Sequence, residues 1–199
     1  KYLNKKSVTF CFFGDGAVNQ GQVYEAFNMA ALWQLPIIYI IENNQYGMGT
    51  SVERASAMTE LFRRGESFGI KGYEIDGMDP LSVHLCMKKI YEQVLNKNKG
   101  PILIEAKTYR YRGHSMSDPG KYRTRQEIQE TRENRDPIER VRTFLIDNNF
   151  YSEDELKSMD NKIKEEVLNA SEEARDMDLP EESILFDDVY YENGINKWP

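Results

Sequence analysis

The chain has 199 residues, 40% of them apolar and 12% aromatic, with 26 Lys and Arg against 33 Asp and Glu for a net charge of −7. That length carries one large domain or a domain with an appendage, and the apolar share rules out global disorder. The acidic balance argues against a general nucleic-acid binder, two cysteines (Cys11 and Cys86) exclude a disulfide scaffold and fit a reducing compartment, and no apolar run approaches the roughly 20 residues of a membrane span.

Lys1, Lys5 and Lys6 lead into a strand-like run, so no cleavable secretory segment is expected. Val8 to Phe13 is β-branched and aromatic and stops at Gly14. Gln22 to Trp33 reads as a helix, with Val23, Phe27, Ala30 and Ala31 on one face. Ile37 to Ile41 is a second buried strand, and Glu42 to Ala57 reads as a loop. Tyr73 to Ile75 is a third strand, Leu81 to Leu95 a helix, and Pro101 to Ala106 a fourth strand. Lys107 to Arg125 reads as a long polar loop with six bases against Asp118, a candidate anion site. Asp136-Pro137 opens a helix to about Asp147. Ser152-x-x-Glu155 is a capping box opening another, to about Arg175. Beyond Leu179 an acidic tail is expected to be extended. Met29, Met48 and Met58 read as packing or loop positions, Trp33 as core or subunit interface, and Cys11 as inert in a buried strand.

Apolar strands spaced by helices predict an α/β fold, a parallel sheet with helices on both faces, followed by a C-terminal helical extension. The predicted divisions are an α/β domain at 1–125, the extension at 126–176 and the tail at 177–199. The most site-like loop follows the first strand directly. An open sheet ordinarily has strands before its ligand loop, so the sequence reads as a C-terminal portion of a longer subunit.

Gly14-Asp15-Gly16 lies between a buried strand and a helix start, where α/β proteins place phosphates. A Rossmann dinucleotide loop is one candidate, with Glu42 as its ribose-binding acid. Against it, the G-x-G-x-x-G pattern needs glycine where Asn19 stands. Asp15 also sets a carboxylate against a diphosphate, and two like charges at about 4 Å repel by about 4 kcal/mol at an effective dielectric near 20. A cation between them reverses the sign, and Mg²⁺ joins carboxylate to phosphate within six oxygen ligands. The Glu42-Asn43-Asn44-Gln45-Tyr46-Gly47 stretch should emerge at the same sheet edge. Asp15, Asn44, the Tyr46 carbonyl, two diphosphate oxygens and a water would complete the octahedron.

Gly14-Asp-Gly-Ala-Val-Asn-Gln-Gly21 with Glu42-Asn-Asn-Gln-Tyr-Gly-Met-Gly-Thr-Ser-Val-Glu-Arg54 closely resembles the cofactor motif of the thiamine-diphosphate-dependent 2-oxo acid dehydrogenases. Asp76-Gly-Met-Asp79 and Tyr109-Arg-Tyr-Arg-Gly-His-Ser-Met-Ser-Asp-Pro-Gly120 extend the resemblance, which runs from about Val8 to Arg175. It implies thiamine diphosphate and Mg²⁺ as cofactors, with Asp15, Asn44 and Tyr46 on the metal. Gly16 and Ala17 would contact the diphosphate. His114 would reach it from the basic loop and is the one catalytic candidate. The implied activity is oxidative decarboxylation of pyruvate, with transfer of the acetyl unit to a lipoyl group.

The implied partners are a beta subunit, in an alpha2-beta2 heterotetramer with a shared site, and the lipoyl domain of an acyltransferase component. A regulatory kinase would act on Ser115 and Ser51, which match phosphorylated positions. The loop after Gly120 is shorter than the animal pattern, and Arg112 replaces an animal histidine. The implied compartment is the mitochondrial matrix, a plastid or a bacterial cytoplasm. Branched-chain 2-oxo acid and acetoin dehydrogenases share the chemistry and remain open, as do a nicotinamide-binding Rossmann oxidoreductase and a non-catalytic binding subunit.

Overall fold

The computed structural model describes residues 6–97 and 99–187. It divides into two compact units, Lys1–Asp147 and Asn148–Pro199. In chain order the first unit holds β1 (Thr9–Gly14), α1 (Gly21–Leu32), β2 (Ile37–Asn43), the short strands β3 (Tyr46–Gly47) and β4 (Thr50–Ser51), and α2 (Val52–Ala55). β5 (Lys71–Asp76), α3 (Pro80–Lys97), β6 (Ile102–Lys107), α4 (Arg125–Arg135) and α5 (Pro137–Asp147) follow. Tight 3-10 turns stand at Ala17–Asn19 and Leu61–Phe68. The second unit holds α6 (Glu153–Asp176) and a 3-10 turn at Glu182–Phe186.

Four strands form one parallel sheet in the order β1-β2-β6-β5. Isoleucines dominate β2 and β6 because those strands are buried on both faces, and the period of two sends alternate side chains to opposite layers. Tyr39, Ile41 and Leu103 point to one layer, where they meet Phe27 and Ala30 of α1 together with Leu61 and Ile70. Ile38, Ile40, Ile102 and Ile104 point to the other, against Ile90 and Val94 of α3. The parallel sheet with helices on both faces is thus as expected.

Several local expectations are corrected. Residues 42–57 are not a plain loop: they hold the end of β2, the β3–β4 hairpin and α2, whose N-cap Ser51 accepts the Arg54 N–H at 3.3 Å. α4 falls within the predicted helical extension, although no helix was named at these residues, because its RQEIQETRENR sequence has almost no apolar period. It stands on local polar bonds: Thr124 accepts the Glu127 N–H at 3.1 Å, and Gln126–Glu130 and Gln129–Glu133 pair along its length. Arg135 reaches Asp76 at 2.9 Å, and Arg140 of α5 reaches Asp79 at 3.2 Å, so both helices are tied to the turn after β5. Cys11 is exposed rather than buried, since β1 is the edge strand. Trp33, 52% exposed, is not core. Residues 182–186 form a 3-10 turn rather than extended chain, and the tail beyond Asp187 lies outside the described residues.

Within the second unit, Ser152 and Glu155 form the predicted capping box, with Glu155 taking the Ser152 N–H at 2.8 Å and Ser152 Oγ the Glu155 N–H at 3.3 Å. Among the described residues no helix is long and apolar enough to cross a membrane.

Phe27 is fully buried, with its ring 4.8 Å from that of Tyr39. Phe27→Ala should cost about 3–5 kcal/mol of unfolding free energy, read by chemical denaturation.

Candidate functional site

The register sets the site. Gly14 lies beside Glu42, and Asn43 of β2 and Asp76 of β5 both lie beside Lys107. The chain segments after β1, β2 and β6 therefore leave the sheet at one carboxyl edge, where open α/β sheets take ligands.

Asp15, the first residue past β1, is only 4% exposed. Burial pushes its carboxyl above the usual Asp range; the N–H groups of Asp15 and Asn44 and the charge of Arg110 pull it back, and Glu105 adds to the upward push. A buried carboxylate in that balance is short of positive charge, which a bound cation supplies. The two loops meet at glycines. A Cβ on Gly47 would stand 3.1 Å from the Gly16 Cα, and one on Gly16 3.3 Å from the Gly47 Cα, so any side chain at either position would force the loops apart. Asn44 lies in the same turn, its Oδ1 accepting the Tyr46 N–H at 3.3 Å.

One carboxylate, one amide oxygen and one carbonyl form a hard, all-oxygen donor set of low charge, which suits Mg²⁺ sharing its shell with phosphate. Among the described residues no three His, Cys, Asp or Glu side chains gather as a metal cluster. A softer metal held by the protein alone has no donors of that kind here. No side chain caps the N-terminus of α1, and of its first turn the Val23 N–H is taken by the Gln20 carbonyl at 3.2 Å.

The basic loop is built differently from a loose anion trap. Arg123, 8% exposed, donates from Nη1 to the Arg110 carbonyl and from Nη2 to the Arg112 carbonyl at 2.8 Å. Its guanidinium lies over the rings of Tyr46, Tyr109 and Tyr122, 5.2 to 5.7 Å from their centroids. Arg110 donates to the Tyr46 carbonyl at 3.3 Å, the Met48 carbonyl at 2.7 Å and the Tyr122 hydroxyl at 2.8 Å. Lys107 pairs with Glu105 at 2.8 Å. Three of the six bases are thus spent on the fold, leaving Arg112, Lys121 and Arg125 exposed.

Tyr122 passes its own proton to Asp118 Oδ2 at 2.8 Å, and the same oxygen takes the His114 N–H at 2.7 Å. A continuous chain of hydrogen bonds therefore runs from the Tyr46 carbonyl through Arg110, Tyr122 and Asp118 to the backbone of His114. The structure brings Asp15, Gly16, Asn44 and Tyr46 together. Ala17 opens the adjoining 3-10 turn. His114 and Ser115 are exposed, with Ser115 Oγ 3.0 Å from Ser117 Oγ. Glu42, the candidate ribose acid, is exposed at the strand end. Sequence analysis missed Glu105, and it counted Arg110 and Arg123 among the anion-site bases without seeing that they bind carbonyls of the fold. For Glu105 a signal existed: it is the one charged residue inside an otherwise apolar strand.

The chain matches the family model described as "Dehydrogenase E1 component" over residues 1–183. It is 52% identical to the pyruvate dehydrogenase E1 component subunit alpha of Rickettsia bellii (strain RML369-C) over 190 residues, 96% of this chain and 58% of that relative. The corresponding protein of Rhizobium meliloti (strain 1021) is 51% identical over 189 residues, 95% and 54% of the two chains. The mitochondrial alpha subunit of Pisum sativum is 50% identical over 191 residues, 96% and 47%. The chain spans about half the length of these relatives.

The N–H groups of His114 and Gly120 and the Tyr122 hydroxyl hold the Asp118 carboxyl down to about 2. A depressed carboxylate stabilises the fold above its ordinary value of about 4 and loses that contribution as pH falls toward the folded value. In a carbon-detected NMR titration Asp118 should titrate near 2. The His114 and Gly120 amides should lose exchange protection only below pH ~4, and in Asp118→Asn at every pH.

Proposed function

The chain belongs to the dehydrogenase E1 component family, and from that premise we propose that it serves an alpha subunit of pyruvate dehydrogenase and carries the metal and diphosphate half of a site shared with a beta subunit. The observation that supports this best is the buried Asp15 carboxylate, turned toward the Asn44 N–H where the two glycine-bearing loops touch. Asp15, the Asn44 amide oxygen and the Tyr46 carbonyl hold Mg²⁺. Gly16 and Ala17 offer backbone N–H groups to the diphosphate. Arg110 fixes the Tyr46 and Met48 carbonyls, leaving a second lone pair on Tyr46 for the cation.

Thiamine diphosphate, when bound, supplies the electron sink that lets carbon dioxide leave a 2-oxo acid. The protein's part in this chain is electrostatic and positional. Asp15, Asn44 and Tyr46 would hold the cation where it offsets the repulsion between the Asp15 carboxylate and the diphosphate. Exposed Arg112 and Lys121 attract the anionic substrate, and Asp118 sets the backbone of His114 so that its imidazole can meet the diphosphate. The curated relatives' names support pyruvate over a branched-chain acid. The acetyl unit would then be handed to a lipoyl arm of the acyltransferase component, which is the electron acceptor for the oxidation.

Ser115 and Ser51 are proposed as regulatory phosphorylation sites. A phosphate on Ser115 adds about −1.5 to −2 charge beside the His114 backbone and the Asp118 carboxylate, which disfavours the loop's order.

With the beta partner present, Mg²⁺-dependent binding of thiamine diphosphate should fall at least about 100-fold in Asp15→Ala, and in wild type under excess chelator. Equal binding in either case overturns the metal site. Pyruvate turnover should require both subunits and exceed turnover of 3-methyl-2-oxobutanoate. Ser115→Glu should lower it, and an unchanged rate removes the switch.

A further inference from the structure

Glu105 is a carboxylate in the middle of β6 with 0% exposure. It lies beside Ile41, two residues before the carboxyl edge. A buried charge is tolerated only when its oxygens are occupied, and here they are. Oε1 accepts from Asn43 Nδ2 at 2.6 Å and from Lys107 Nζ at 2.8 Å. Oε2 accepts the Phe62 N–H at 2.9 Å. Three stretches, the end of β2, the 3-10 turn at Leu61–Phe68 and the end of β6, therefore converge on one group.

The orientation of Asn43 follows. With its amide donor committed to Glu105, its Oδ1 faces the Gln45 N–H and accepts it at 2.9 Å. Its carbonyl is held by the Thr108 N–H at 2.8 Å. The Oδ1 bond closes a turn over Asn44 and keeps Gln45 at φ 74, a left-handed conformation unfavourable for a residue with a Cβ. Asn44, inside that turn, directs its N–H at Asp15. The oxygens of Glu105 touch Asn43, Lys107 and Phe62, and beyond those contacts it reaches the site only as a charge that opposes ionisation of Asp15.

Building on the function proposed above, we infer that Glu105 is a positioning residue for the Mg²⁺ site. It touches neither cation nor cofactor. Acting through Asn43, it fixes the turn that presents Asn44 and the Tyr46 carbonyl, and it ties that turn to the Leu61–Phe68 segment and to Lys107.

All three partners of Glu105 are donors, so Glu105→Gln sets an NH₂ group against at least one of them. The test uses the complex with the beta subunit and reads the Mg²⁺ concentration for half-maximal thiamine diphosphate binding by calorimetry, beside Tm. Glu105→Gln should raise that concentration by about 10- to 100-fold. Exchanging the two groups, Glu105→Gln with Asn43→Asp, remakes an N–H···O link between them and should recover most of the loss. Val94→Ala, a cavity on the α3 side of the sheet, should lower Tm and leave the Mg²⁺ requirement at the wild-type value.

A Glu105→Gln complex that melts lower but needs no extra Mg²⁺ overturns the inference and makes the carboxylate a purely structural tie. Asn43→Ser cuts the same link from the other end and leaves the Glu105 charge in place, so it should raise the Mg²⁺ requirement as well; a wild-type requirement there overturns the inference whether or not Glu105→Gln folds. Cofactor binding by wild type without Mg²⁺ is a different result: it removes the proposed metal function itself, and the inference falls with it.

Discussion

A carboxylate shut away from water at the end of β1 governs the rest of this molecule. Asp15 is buried between two loops, with two N–H groups and the nearby charge of Arg110 to offset the loss of solvent. Burial opposes its charge and wins, so the group is incomplete by itself. Around it the protein spends structure freely. Two glycines meet backbone to backbone, a non-glycine residue sits at positive φ, and one arginine is committed to the carbonyls of the neighbouring turn. Strained and costly features of this kind collect where geometry matters more than stability.

Much of the frame was legible in the sequence because its causes are local. Isoleucine runs bounded by Gly and Pro give strands; the 3.6-residue period of Val23, Phe27 and Ala30 gives α1; and Ser152 with Glu155 announces α6. That Asp15 and Asn44 come together was legible for a chemical reason, since a carboxylate in a phosphate-type loop directs attention to neutral oxygens on the neighbouring strand's loop. The errors arose where partners are distant in sequence. α4 is a separate case, inside the predicted helical extension but without an apolar stripe to mark it, resting on its own i,i+4 polar pairs and on Asp76. Cys11 looked buried by composition, but its exposure depends on which strand lies at the sheet edge, and Trp33, read as core or subunit interface, stands exposed at the end of α1. The loop's charges looked available because nothing local shows that Arg123 folds back on carbonyls and tyrosine rings.

That tyrosine nest changes the meaning of the positive loop. Arg123 is planar and can both stack on rings and donate to two carbonyls. A lysine keeps the charge but has neither the planar face that stacks on the rings nor the two separate nitrogens that reach both carbonyls. The loop therefore owes its shape to one residue that contributes little to its outward field, while Arg112, Lys121 and Arg125 supply the field without shaping it. Shape and charge can vary separately at this edge.

β1 has a neighbour on only one side among the described residues. Its outer flank offers a ladder of unused donors and acceptors, with Phe12 60% exposed beside it. Such a flank is sticky toward any extended peptide, because adding a strand satisfies the backbone whatever the sequence of the newcomer. The cofactor-type loop begins at the very next residue, so whatever docks along β1 would also stiffen the base from which Asp15 projects. Quaternary or intrachain company at that border and the steadiness of the turn proposed to hold the cation are thereby mechanically linked.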